Sequence, residues 1–186
     1  MKLSAVFSLF LGVLMAPLVH AEIPAGTDYS LINKTDDAES AYRNRVFRAY
    51  LPQAVVRERL RTNNYSAFEN PTGIYYVKGE TVTVEVLGEA PQGLSFIIHN
   101  FDREGGHAEI PLKSGVNTFV APTQGLGYLN YRAEDPQKAP ALQVKLGGGY
   151  VNGVFTQHDD VATWKRMLAQ AKGNILDILG ERTQLA

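Results

Sequence analysis

Asn70-Pro71-Thr72-Gly73-Ile74-Tyr75-Tyr76-Val77-Lys78-Gly79-Glu80-Thr81-Val82-Thr83-Val84-Glu85-Val86 is the stretch on which the fold reading turns. Asn-Pro and Thr-Gly break any preceding helix. Residues 74–77 are β-branched and aromatic, and Lys78-Gly79-Glu80 supplies a turn. After it, Val82, Val84 and Val86 alternate with Thr81, Thr83 and Glu85, so one face is apolar and the other polar. The run predicts a half-buried hairpin in a sheet, placed where helical sequence gives way to β sequence.

Upstream, the first 21 residues are expected to be an export signal outside the fold. Lys2 gives a positive start, residues 3–15 are apolar but short, and Val19-His20-Ala21 is a small-residue cleavage site. An uncleaved anchor is the alternative, disfavoured by Pro17 and the short apolar core. Cleavage leaves no membrane span, and the address is periplasmic or secreted. The chain has no cysteine, so neither a lipid-anchored cysteine nor a disulfide framework is available.

Residues 22–69 read as an extended leader to Lys34 followed by a helical pair. Asp36 and Glu39 suggest a capped start, and Ala38, Ala41, Tyr42, Val46 and Ala49 recur at helical steps up to Pro52. A second short helix begins at Pro52, with Val55, Val56 and Leu60 as its apolar edge. Arg43, Arg45, Arg48, Arg57, Arg59 and Arg61 fit a solvated helix face. A net charge of −1 argues against nucleic acid as partner.

Residues 70–186 are expected to form a β-sandwich or jelly roll, with turn signals about every ten residues. Its strand candidates are residues 94–100, 107–112, 115–121, 125–131, 142–146 and 151–155. Gly147-Gly148-Gly149 suggests a bulge or strand corner, since no Lys-Ser/Thr follows as a phosphate loop requires. Residues 163–171 predict an amphipathic helix on which Trp164, Met167, Leu168 and Ala171 share a face, capped by Asp159 or Asp160. Residues 175–179 are an apolar stretch with no evident terminating structure after it. The fold class is therefore mainly β, with a short helical pair before the sandwich and an amphipathic helix after it.

Chemistry is sparse. Zinc hydrolysis needs three ligands at fixed spacing, as in His-Glu-x-x-His. His99, His107 and His158 have no such context and are expected to be surface or loop residues, so neither catalytic nor metal residues are assigned. Thiol catalysis is impossible, no Gly-x-Ser-x-Gly occurs, and no paired carboxylates flank a recognisable cleft. Calcium is the most credible metal option, through Asp102, Glu104, Asp135, Asp159 and Asp160, although the sequence does not show them converging. Tyr75, Tyr76, Tyr128, Tyr131, Tyr150 and Trp164 offer flat faces to a sugar, but most sit at alternating or helical positions that core packing explains, Trp164 in particular. Tyr128 and Tyr131 have opposite strand parity, so at least one is expected to point outward. They are the candidate glycan-binding residues.

Four ordered segments carry a family resemblance: Asn70-Pro71-Thr72-Gly73-Ile74-Tyr75 with Lys78-Gly79-Glu80; Pro111-Leu112-Lys113-Ser114-Gly115-Val116-Asn117; Gly125-Leu126-Gly127-Tyr128-Leu129-Asn130-Tyr131; and Gly147-Gly148-Gly149-Tyr150-Val151-Asn152-Gly153-Val154-Phe155, leading to Trp164-Lys165-Arg166-Met167-Leu168. The lead-in around Tyr42-Arg43 and residues 46–50 is also similar. Together they resemble the N-terminal region of enhancin-like, mucin-targeting zinc metallopeptidases. The resemblance implies a β-sandwich ahead of a catalytic zincin domain, with zinc and its helix in that later domain. It transfers a fold and a context but no catalytic residue. It implies an accessory domain, from a fragment or a stand-alone relative, whose partners are the catalytic domain and glycoprotein or mucin glycans. An independent carbohydrate-binding module is the alternative.

Overall fold

The computed structural model describes residues 38–63, 68–101, 106–180 and 184–185. The export signal, the leader, the Asp36 cap, Asp102 and Glu104 lie outside the described residues. The elements in chain order are α1 (Ala38–Arg43), β1 (Asn44–Phe47), α2 (Gln53–Leu60), β2 (Pro71–Tyr76), β3 (Thr81–Leu87), β4 (Ser95–His99), β5 (His107–Pro111), β6 (Gly115–Val120), β7 (Gly125–Asn130), β8 (Leu142–Gly147), β9 (Tyr150–Val151), β10 (Val154–Thr156), α3 (Val161–Gln170), β11 (Asp177–Leu179) and β12 (Gln184–Leu185). A four-stranded sheet in the order β1-β8-β3-β6 faces a five-stranded sheet in the order β5-β4-β7-β2-β9, and β10-β11-β12 form a third. This is the expected sandwich.

The opening run does not form a hairpin. β2 pairs with β7 and β9, whereas β3 pairs with β6 and β8, so the turn at Lys78 to Glu80 carries the chain from one sheet to the other. Burial explains the split. Every residue of β2 is buried, while Thr81, Thr83 and Glu85 of β3 lie on the less buried face, so the two strands need different surroundings. Main-chain bonds between Gly79 and Ala121 and between Ala121 and Glu80, each 2.9 Å, tie the turn to the end of β6.

The core between the sheets is built from Val82, Val84, Val86, Val144 and Leu146 on one side and Ile74, Tyr76, Phe96, Ile98 and Leu129 on the other. The four-stranded sheet alternates buried and open residues, as in β8, where Leu142, Val144 and Leu146 are buried and Gln143 and Lys145 are exposed. The five-stranded sheet is covered twice. Its far face packs Tyr75, Ile97, Leu126 and Tyr128 against Ile175 and Phe68. The apolar stretch at 175–179 is tied down there through Ile175, with Leu176 and Asp177 also buried. Its β11 pairs in parallel with β10 and antiparallel with β12, which supplies the terminating structure the sequence did not reveal.

The long first helix is also corrected. It stops at Arg43, and residues 44–47 form β1, antiparallel to β8 from Asn44 opposite Lys145 to Phe47 opposite Leu142. Helical spacing loses here to sheet burial, because Arg45 and Phe47 alternate inward. Arg45, expected on a solvated face, is only 1% exposed. Its guanidinium lies 5.3 Å from the Tyr42 ring centre and 5.2 Å from that of Phe47. It donates to Thr72 O at 2.7 Å and Pro71 O at 3.1 Å. These are carbonyls of a β-bulge, since the β2–β7 register shifts between Pro71 and Tyr75. Gly73, at φ +71°, makes the bulge possible; a Cβ there would sit 2.5 Å from the Tyr42 ring. The second helix forms as expected from Pro52, but of its apolar edge only Val56 is buried; Val55 and Leu60 are exposed. The triple glycine is the expected corner between β8 and β9, with Gly148 and Gly149 both at positive φ.

Arg45→Ala should therefore leave two buried carbonyls without their donor and cost about 3 kcal/mol. Arg45→Lys should recover only part of that, because an ammonium lacks the planar fork. Urea unfolding midpoints of the three proteins check this ranking.

Candidate functional site

The far face of the five-stranded sheet carries the richest polar chemistry. Register places Ser95 beside Asn130, Ile97 beside Glu109 and His99 beside His107, so their side chains share that face. Ser95 Oγ donates to Glu109 Oε1 at 2.5 Å, and Asn130 Nδ2 donates to the same oxygen at 2.9 Å. Arg132 Nε donates to Asn130 Oδ1 at 2.9 Å, and its two terminal nitrogens grip both Glu69 oxygens at 2.7 and 2.5 Å. A connected row thus runs Ser95, Glu109, Asn130, Arg132, Glu69. The Ser95 hydroxyl above all, with help from Asn130, holds the Glu109 carboxyl below the usual carboxylate range against its partial burial.

Aromatic rings flank this row. Phe68 stacks on His99 with centroids 4.7 Å apart and meets Phe101 edge-on at 5.2 Å. Phe101 is partly open to solvent. His99 faces His107 across the β4–β5 pair, with their Nδ1 atoms 3.3 Å apart. Burial, then the neighbouring His107, holds the His99 imidazole below its ordinary value. Polar groups beside an open ring suit a sugar hydroxyl surface.

Tyr128 and Tyr131 do have opposite parity, but the expectation that one points outward fails. Tyr131 enters the core between the sheets, and Tyr128 enters the second core on the far face. A sheet covered on both sides leaves neither ring a face for a ligand. The Tyr128 hydroxyl donates to Asp177 Oδ1 at 2.8 Å, and that of Tyr131 to Pro140 O at 2.8 Å. Burial first, then the charge of Asp177, pushes the Tyr128 hydroxyl well above the usual phenol range. These two tyrosines hold the C-terminal segment and a loop in place.

The carboxylates considered for calcium are separately engaged. Asp135 pairs with Lys138 at 2.8 Å. Asp159 accepts from Thr156 N and Oγ1, and Asp160 caps α3 through Thr163 N at 2.7 Å. Among the described residues, no three metal-ligating side chains come together. Two apolar clefts of about 250 Å³ each lie elsewhere, one beside α2 near Tyr50 and Val56, the other between Phe155 and Trp164. No helix among the described residues is long and apolar enough to cross a membrane. Sequence reasoning missed the Ser95–Glu69 row and the histidine pair; the register of β4 against β5 and β7 gathers Ser95, Glu109, Asn130 and the histidines, and the Arg132–Glu69 ion pair extends the row.

The profile of a family described as the N-terminal domain of M60-like peptidases matches residues 38–145. No curated protein matches the sequence. Among solved structures, a metallopeptidase from Bacteroides thetaiotaomicron is 25% identical with a TM-score of 0.67, over 82% of this chain and 28% of that one. A metallopeptidase in complex with Tn antigen matches at 25% identity and a TM-score of 0.67, over 81% and 30%. The ZmpB metallopeptidase from Clostridium perfringens shares the fold, with 17% identity and a TM-score of 0.59 over 75% and 33%. The chain spans a third or less of the length of each.

The folded His99 imidazole takes up its proton at a lower pH than an unfolded one. An unfolded imidazole binds its proton near pH 6.5, about where the folded one still resists it. The stability this gives is present in full above that pH and is lost as pH falls through the folded value. His99→Gln should flatten the drop in unfolding free energy between pH 7.5 and 5.5, read by urea titration at each pH.

Proposed function

Because the chain belongs to the family of N-terminal domains of M60-like peptidases, we propose that it is an exported, non-catalytic accessory domain that orients a metallopeptidase catalytic domain and helps it engage glycoprotein substrate. One observation carries this reading. The family profile and the metallopeptidase structures align with most of this chain, yet the aligned region is the smaller part of each peptidase. Export is supported by the sequence alone, through Lys2, the apolar residues 3–15 and Val19-His20-Ala21. Zinc belongs to the catalytic partner in this reading.

The surface that suits such a partner is the groove on α3. Val161 and Leu168 are largely exposed beside Trp164, which meets Phe155 edge-on at 4.9 Å. A second reading, an independent mucin-glycan module, is favoured by the polar row beside Phe101, not by Tyr128 or Tyr131. A relative solved with Tn antigen makes O-linked glycans the first ligands to try.

Residues 22–186 should bind a separately produced M60-like catalytic domain in calorimetry and should cleave no mucin alone. Val161→Glu with Leu168→Glu should weaken binding at least tenfold while leaving the unfolding midpoint unchanged. Chelator-sensitive mucin cleavage by the chain itself overturns the non-catalytic assignment. Saturable glycan-array binding without catalytic-domain binding moves the assignment to the second reading.

A further inference from the structure

The cross-strand histidines lie outside everything the accessory-domain reading uses. His99 of β4 and His107 of β5 are direct register partners on the far face of the five-stranded sheet. Their ring centres are 5.3 Å apart and their Nδ1 atoms 3.3 Å apart, so the two nitrogens sit on the facing edges of the rings. An ordinary protein hydrogen bond from N–H spans about 2.7–3.2 Å, which makes this pair long for a direct bond. A tetrahedral ion with metal–nitrogen bonds of about 2.05 Å instead spaces two ligand nitrogens about 3.3 Å apart. We propose that His99 and His107 form a two-imidazole site for one divalent transition-metal ion of the zinc, nickel or cobalt kind, held through both Nδ1 atoms.

The surroundings favour that role. Phe68 stacked at 4.7 Å and Phe101 edge-on at 4.4 Å fix the His99 ring, so little rotamer freedom is lost on ligation. His107 is exposed, which gives an ion direct access from solvent. Burial disfavours the His99 imidazolium, and a neutral ring is what a metal requires. Glu109, two residues along β5, is already engaged by Ser95 and Asn130 and is not counted as a ligand. Two protein ligands leave at least two positions for water, so the site is distinct in kind from a three-ligand catalytic centre. The sheet register alone creates it, independently of any peptidase partner.

The untagged full chain, titrated with zinc chloride by calorimetry at pH 7.5, should bind one ion saturably. His107→Ala, a change at an exposed position, should weaken that binding at least tenfold. His158→Ala, which removes another exposed histidine, should leave it unchanged. Zinc should also raise the melting temperature of the wild-type chain and not that of His107→Ala, and should shift the imidazole resonances of His99 and His107 together. Absence of saturable binding up to millimolar zinc overturns the proposal and leaves the pair as a long hydrogen bond. Equal affinity in wild type and His107→Ala, or resonance shifts confined to His158, overturns it equally.

Discussion

A strand buried on both faces and broken by a bulge must find its main-chain partners inside the protein, and β2 is that strand. Buried amides and carbonyls without partners cost free energy that a domain of this size cannot absorb repeatedly. The bulge carbonyls from Pro71 to Gly73 are accordingly met. Arg45 reaches from the opposite sheet to the carbonyls of Pro71 and Thr72. The Thr72 hydroxyl donates to Gly127 O and accepts from Ile74 N. The Gly73 carbonyl accepts from both Asn152 and Gly153, which ties the strand to the turn after β9. Tyr42, packed over Gly73, accepts from Val154 N and joins the third sheet to the same point. The two sheets and the C-terminal region therefore meet around four residues, Pro71 to Ile74.

That arrangement explains the division of labour between the faces. The four-stranded sheet buries one side and leaves the other to water. The five-stranded sheet buries most of both sides, sealed by Phe68 and the 175–179 segment, with Asp177 held by Tyr128. What remains open on its far face lies toward β5, where Glu109, Asn130, Arg132 and the histidines gather. Surface chemistry is concentrated there because the rest of that face is occupied by packing.

Much of this was legible in the sequence, and what was not has a physical cause. The strands from Ser95 to Gly147 were readable because apolar runs and glycine turns mark them locally. The α3 cap at Asp160 was readable for the same reason. β1 was not, because Tyr42, Val46 and Ala49 satisfy a helical period while only the pairing with β8 rewards the strand. The buried state of Arg45 depends on a bulge 26 residues away. The orientation of Tyr128 could be assigned to a face, but whether that face is wet depends on a segment nearly fifty residues later. The histidine pair and the Ser95–Glu69 row belong to the same class: their members are unremarkable singly and acquire chemistry only through register.

Native-state hydrogen exchange tests most directly whether the doubly covered sheet anchors the domain. Amides of β2, β4 and β7 are predicted to exchange only through global unfolding, more slowly than those of β6 at the edge of the other sheet. Exchange of the β2 and β7 amides by local opening, at or above the rate of β6, would contradict the account.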